Sequence, residues 1–244
     1  MNPSPLQPSQ PSPALPSSAS LHRKTAVAVG ILFIACSAAA ILSALPTGSL
    51  LDASDYLNQL AAHDGRVIVG SIIELIWAIT GAAIAVALYP VLRRHNRGLA
   101  LGAACCRVAE GVVVVVGTLG LLTLLTLGQK AAGSADPSAF SASGELLVGL
   151  RDWCHGYVSL IPFLMGALTY YYLMYRWRVV PRWLSGWGLV GVVVSLAATV
   201  YSAFTQDFGL TTLNSVLNAP IGVQEMVLAV WLIIKGFNKT GCVC

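Results

Sequence analysis

The chain has 244 residues, of which 56% are hydrophobic and 10% are charged. So low a charged fraction excludes an ordinary soluble domain, and long apolar runs without alternation argue against a β-barrel. The net charge of +4 at pH 7 is distributed along the chain and not gathered into a patch, so nucleic acid is not an expected partner and the lipid bilayer is.

Residues 1–20 hold six prolines among Ser, Gln and Ala, with no charge, a composition that cannot form a core. The expected organisation is a disordered cytoplasmic tail over 1–24 that ends in the basic anchor His22-Arg23-Lys24, a transmembrane domain over 25–238, and a short tail over 239–244. A hydrocarbon core about 30 Å thick needs roughly 20 apolar residues as helix. Runs of that length lie near 25–45, 67–92, 99–127, 147–175, 184–204 and 219–237. The expected fold class is therefore an all-α integral membrane protein, a bundle of six transmembrane helices. The first run is longer than the apolar region of a cleaved signal peptide, about 7–15 residues, and reads as a span.

After the first run, Pro46 and Gly48 open a loop in which Leu51, Leu57 and Leu60 have the spacing of a helix lying on the membrane surface. The second run ends at Tyr89-Pro90, ahead of the basic turn Arg93-Arg94-His95-Asn96-Arg97. Gly98 and Gly102 form a GxxxG face suited to close helix approach. Asp136-Pro137 marks a turn, and Ser141 or Ser143 is the expected cap of the fourth helix. Pro162 removes a backbone donor and predicts a kink. Tyr170, Tyr171, Tyr172, Tyr175, Trp177, Trp183 and Trp187 read as an interfacial aromatic belt. Asn218 with Pro220 predicts the start of the sixth helix. Val108-Ala109-Glu110-Gly111-Val112 resembles Val223-Gln224-Glu225-Met226-Val227, as an inverted repeat would, although the abundance of valine gives chance a large share in that match.

Orientation follows from Lys and Arg. With the N-terminus inside, Arg23, Lys24, Arg93, Arg94, Arg97, Arg176, Arg178, Arg182, Lys235 and Lys239 fall on the inner side, and only Arg66, Lys130 and Arg151 on the outer. Ten against three is a strong positive-inside bias, so both termini are expected in the cytoplasm and the protein in a plasma (inner) membrane.

The informative residues are the charges inside the runs: Glu74, Arg107, Glu110, Asp152, His155 and Glu225. Each charge at the centre of a membrane helix costs on the order of 2.5–3.5 kcal/mol, and such residues often mark ion or solute paths. Arg107 and Glu110 are one helical turn apart, share a face and can pair; Asp152 and His155 also share a face. All six are expected to converge in the outer half of the bundle. Four carboxylates against Arg107 and Arg151 leave a negative surplus, to be relieved by protonation, by charging His155, by a bound cation or by water. A proton, a cation or a small solute is therefore the expected ligand, with a purely structural charge network as the competing reading.

Other chemistry is poorly supported. His155 is the only histidine within the runs and H-E-x-x-H is absent, so neither a metal site nor a bis-histidine haem is expected. G-x-S-x-G, Walker A and G-x-G-x-x-G sequences are absent as well, and no cofactor and no catalytic residue is assigned. Cys36, Cys105, Cys106 and Cys154 read as small packed residues. Cys242 and Cys244 read as a reduced terminal Cys-Val-Cys.

Several blocks occur in a familiar order: Ala87-Leu88-Tyr89-Pro90-Val91-Leu92, Ala100-Leu101-Gly102 leading to Arg107 and Glu110, Asp152-Trp153, Val179-Val180-Pro181-Arg182-Trp183, Gln224-Glu225, and Trp231 to Phe237. Over roughly residues 25–238 the chain resembles a bacterial family of integral membrane proteins, domain of unknown function 4386. The resemblance implies a six-helix membrane protein and supplies neither substrate nor catalytic residue. Together, residues and resemblance make a small-solute or ion-coupled transporter the leading expectation and a non-enzymatic membrane partner or sensor the alternative. An intramembrane enzyme acting on lipid through His155 and the carboxylates comes third.

Overall fold

A computed structural model of the chain describes residues 18–206, 208 and 211–238. Most of the expected tail and the Cys-Val-Cys end lie outside them. Helices α1 (Ser18–Leu42), α2 (Ala44–Leu51), α3 (Tyr56–Ala62), α4 (Asp64–Leu92), α5 (Arg97–Ala132), α6 (Ser141–Trp153), α7 (Leu160–Arg176), α8 (Arg182–Thr205) and α9 (Thr212–Ile234) follow in order, with a 3-10 turn at Pro137–Phe140 and a π-turn at Cys154–Val158. Six stretches are long and apolar enough to cross a membrane: His22–Leu51, Asp64–Leu92, Arg97–Ala132, Ser138–Arg176, Arg182–Thr205 and Thr212–Ile234. The fold is an all-helical multi-pass membrane protein. Its outward surface is apolar in the manner of a lipid-facing belt: Ile31, Ile79, Val112, Val190 and Val230 are all exposed.

One core runs between α1, α4, α7, α8 and α9 and includes Phe33, Leu88, Tyr170, Tyr171, Leu184 and Leu228; a smaller one joins Leu50, Leu60, Val67, Leu121 and Leu124. The turns at 93–96 and 177–181, the start of α1 and the end of α9 meet at one end of the bundle, here the arginine end. There the Arg23 guanidinium donates to the Leu232 and Ile233 carbonyls at 3.2 and 2.6 Å, a cation on the orphan acceptors of the α9 C-terminus. The Asn96 side chain accepts from the Leu99 amide at 3.0 Å and caps α5.

Several local expectations are corrected. Beyond Pro46, α2 prolongs the first span, and α3 packs on α5 with Leu60 fully buried. The approach is so close that a Cβ on Gly128 would run into the Leu57 carbonyl. Gly98 and Gly102 have no neighbouring helix within reach, while Gly111 lies against the Ala78 carbonyl, 3.0 Å from where its Cβ would be. The cap before α6 is Asp136, which accepts from the Ser138 amide, and Ser141 caps nothing. The sixth span starts at Thr212 under a Thr211 cap, and Pro220 sits inside the helix. The two innermost tyrosines of the expected belt, Tyr170 and Tyr171, are 1% and 0% exposed; they occupy the face of α7 that meets α8 and α9, while Tyr172, Tyr175 and Trp183 do face outward. The break at Pro162 takes the form of the π-turn four residues earlier, where the Ser159 amide reaches the Cys154 carbonyl at 3.0 Å.

Candidate functional site

The buried charges form two groups, not one. Glu74 lies about 15 Å along α4 from its start at Asp64, whereas Arg107 lies about 15 Å along α5 from Arg97, at the opposite end of the bundle, at about 1.5 Å per residue. The early start of α9 at Thr212 also moves Glu225 past the midpoint of its helix. Convergence of all six in one outer site is therefore corrected by helix length.

The first group joins Glu74, Arg151 and His155. The Glu74 carboxylate is completely buried. One oxygen takes a short ion pair from Arg151 Nη2; the other accepts from the Thr118 hydroxyl at 2.8 Å and lies 3.6 Å from His155 Nε2. His155 Nδ1 stands 3.1 Å from the Arg151 carbonyl oxygen. The imidazole has room because α5 carries Gly117 opposite it, where a Cβ would overlap the ring. The π-turn sets its direction by offsetting the 154–158 stretch from the regular helix on either side.

This group borders a cavity of about 250 Å³ at the end of the bundle away from the arginine turns. Glu74, Arg151, His155 and the half-buried Asp152 line one side; Ser202, Asn214 and Asn218 from α8 and α9 line the other. Ser202 donates to the Asn214 side-chain oxygen at 2.7 Å. Ala40, Leu160 and Phe208 supply apolar wall. Asp152 shares the cavity with His155 but does not pair with it, and its carboxylate takes no hydrogen bond among the described residues.

The second group is sealed in the protein interior, and none of its charges lines the cavity. Arg107, 1% exposed, contacts Glu110 at 2.7 Å, an ion pair whose angle leaves neither atom an aligned hydrogen bond. Its Nε–H donates to the Gly81 carbonyl at 3.3 Å, its Nη2 to Cys36 Sγ at 3.7 Å, and the guanidinium lies 4.8 Å over the Phe163 ring. Glu225 accepts from Ser37 and Tyr170, each at 3.4 Å, and lies within electrostatic reach of both Arg107 and Glu110. Next to it Tyr171 donates to Gln224 Oε1 at 2.6 Å, and Gln224 donates to the Leu184 carbonyl at 3.1 Å. One cation against two carboxylates leaves this group one negative charge in surplus if both are ionised.

Trp77 stands between the groups. Its ring centroid is 5.6 Å from that of His155, and its side chain reaches the Glu110 carboxylate. Trp77, Thr118, Tyr170 and Gln224 are site residues that pattern reading did not select, and Arg151, counted there only as a balancing charge, is the direct partner of Glu74. A tryptophan and a threonine inside apolar runs were the available signals, and both are commonplace in membrane helices. Cys36, read as a small packed residue, is a polar contact of Arg107. Among the described residues no three His, Cys, Asp or Glu side chains gather to hold a metal ion.

No curated protein and no solved structure matches the chain. The model of one family does match, over residues 28–236, a range that contains both charge groups and every cavity residue. On that coverage the chain belongs to the family described as Domain of unknown function (DUF4386).

Proposed function

We propose that the protein is a small-solute permease coupled to proton or cation movement, working through the two buried charge groups. The observation that carries this reading is the cavity against Glu74, Arg151, Asp152 and His155, separated from the sealed Arg107 group by Trp77. Ionisable side chains held inside a membrane domain at such cost typically serve a path. In this reading the cavity receives the solute, His155 and Asp152 form the relay at its mouth, Glu110 and Glu225 carry the proton or cation, and Arg107 is their counter-ion. The arginine end faces the cytoplasm by the positive-inside bias, which puts both termini inside a plasma membrane and opens the cavity to the outer side.

The test is reconstitution into liposomes under an imposed pH gradient, with lumenal pH and solute uptake followed together. Solute-dependent proton movement that is lost in Glu110→Gln, while the variant still unfolds cooperatively, is the expected result. The sealing of Arg107, Glu110 and Glu225 away from the cavity favours a second reading, a structural clamp in a non-enzymatic membrane partner or sensor. In that case Glu110→Gln lowers stability, and wild type and variant are alike in moving no solute.

A further inference from the structure

The hydrogen-bond inventory around His155 points to the solute class, resting on the permease reading above. A backbone carbonyl can only accept, so His155 Nδ1, 3.1 Å from the Arg151 oxygen, carries the hydrogen. In the neutral ring Nε2 is then a lone pair. It is buried without a hydrogen-bond partner and faces Glu74 Oε2 at 3.6 Å. An ionised carboxylate is also an acceptor only, so the two face each other with nothing to share until one more proton arrives. The site accommodates that proton without rearrangement. The Thr118 hydroxyl has a single hydrogen and two acceptors in reach, Glu74 Oε2 at 2.8 Å and the Val114 carbonyl at 3.0 Å. With Glu74 protonated on Oε2 and that hydrogen directed at His155 Nε2, the Thr118 hydroxyl turns its own hydrogen to Val114, so Oε2 is not crowded by a second donor.

Protonation has a second effect, on Arg151. Its guanidinium is paired to Glu74 through Nη2, while its Nε–H is buried with no partner. Once Glu74 is neutral, Arg151 keeps its charge and loses the one carboxylate it pairs with, Asp152 acting on it only without contact, in a setting where an unpaired charge is costly. A carboxylate entering the cavity replaces that counter-ion. The charges that face the site are Glu74 from α4 and Arg151, Asp152 and His155 from the α6–π-turn segment, with Asp52 close enough to influence Asp152. The cavity residues of α1, α8 and α9 are uncharged. Glu74, Arg151 and Asp152 sum to one negative charge with His155 neutral. A carboxylate alone would make that two; a carboxylate with one proton leaves it unchanged.

We propose that the cavity binds a small carboxylate solute together with one proton, the proton on the Glu74–His155 pair and the carboxylate on Arg151. A volume of about 250 Å³ lies below the roughly 300–1,000 Å³ of pockets that take drug-sized ligands, in keeping with a small solute. The same carboxylate chemistry could belong to a plain acid or to an amino acid, whose ammonium would then face Asp152.

Calorimetric titration of the purified full chain with propionate, alanine and, as a control, methylammonium decides the matter, run between about pH 5.5 and 8 in two buffers of different ionisation enthalpy. A carboxylate probe is expected to bind with uptake of one proton, its affinity falling up to about tenfold per pH unit on the alkaline side. Glu74→Gln imitates the protonated acid and is expected to bind the same probe with no pH dependence and no proton uptake, whereas Arg151→Gln loses binding. Tighter binding of alanine than propionate identifies the amino-acid class, and the reverse identifies the plain acid; either supports the proposal. Binding of methylammonium alone, no binding of either carboxylate, or pH dependence undiminished in Glu74→Gln overturns it. Liposome flux separates this inference from the reading beneath it. Carboxylate binding without flux sinks only the permease, and flux of other solutes without carboxylate binding sinks only the solute class.

Discussion

Replacing Arg107 by alanine is the most direct probe of the sealed group. The side chain is 1% exposed. Its loss removes the 2.7 Å ion pair to Glu110, the 3.3 Å bond to the Gly81 carbonyl and the 4.8 Å contact with the Phe163 ring. Glu110 and Glu225 then remain as buried carboxylates without a cation. Breaking a buried pair from one side costs about 3–5 kcal/mol, because the remaining charge is uncompensated; proton uptake by the carboxylates limits the loss to that range instead of the sum of the separate contacts. Replacing the whole pair by apolar side chains of similar volume is commonly neutral or stabilising. Arg107→Leu combined with Glu110→Leu is therefore expected to recover part of that loss and not all of it, because Glu225 stays behind as the one uncompensated acid. Denaturant unfolding in micelles, followed by tryptophan fluorescence, measures both. A loss below about 1 kcal/mol for Arg107→Ala, or a double variant less stable than the single one, would refute the assignment of Arg107 as counter-ion to two buried acids.

Three further outcomes are expected. Tyr171→Phe removes the donor to Gln224 at 2.6 Å and strands a buried amide oxygen, for a loss of about 1–3 kcal/mol in the same unfolding assay. Gly117→Val drives a side chain into the space of the His155 ring; overpacking of this kind costs about 1–3 kcal/mol and is expected to change Trp77 emission, because the two rings are in contact. At the arginine end, partial burial and the neighbouring Arg94 hold His95 below its usual value of 6.5, where it stacks on Trp177 at 5.3 Å. The folded state thus favours the neutral ring, so this contribution to stability is complete above pH 6.5 and is lost as the pH falls through the lowered value. A His95→Phe variant should show a correspondingly flatter decline in thermal midpoint on acidification, and an unchanged decline would remove His95 from the account.

Six spans, the kind of environment they need and the residues that carry buried charge were all legible in the sequence. Their signals are local: the length of an apolar run, and a glutamate or arginine where hydrocarbon is expected. The Arg107–Glu110 pair was legible for the same reason, since residues three apart share a helix face whatever surrounds them. Side chains that meet across the bundle were not. Arg151 and Glu74 are separated by 77 positions, and their pairing depends on which helices are neighbours and how far each is shifted along its axis. Periodicity does not encode either quantity.

The same limit explains the errors. Tyr170 and Tyr171 look like interfacial residues by composition and are core residues by position, because only packing decides which side of α7 faces α8 and α9. Pro220 looks like a helix start, yet the Thr211 cap and the wall that α9 builds against α8 carry the helix back to Thr212. That shift placed Glu225 beside Arg107 and away from Glu74. The sequence by itself determined that four carboxylates, an arginine and a histidine would lie within the apolar stretches of a membrane helix bundle, with Arg151 at the edge of one. Only the tertiary structure decided their division into a sealed group and a group at a cavity, because that division is set by helix register and by where glycines 81 and 117 leave space for an arginine and a histidine.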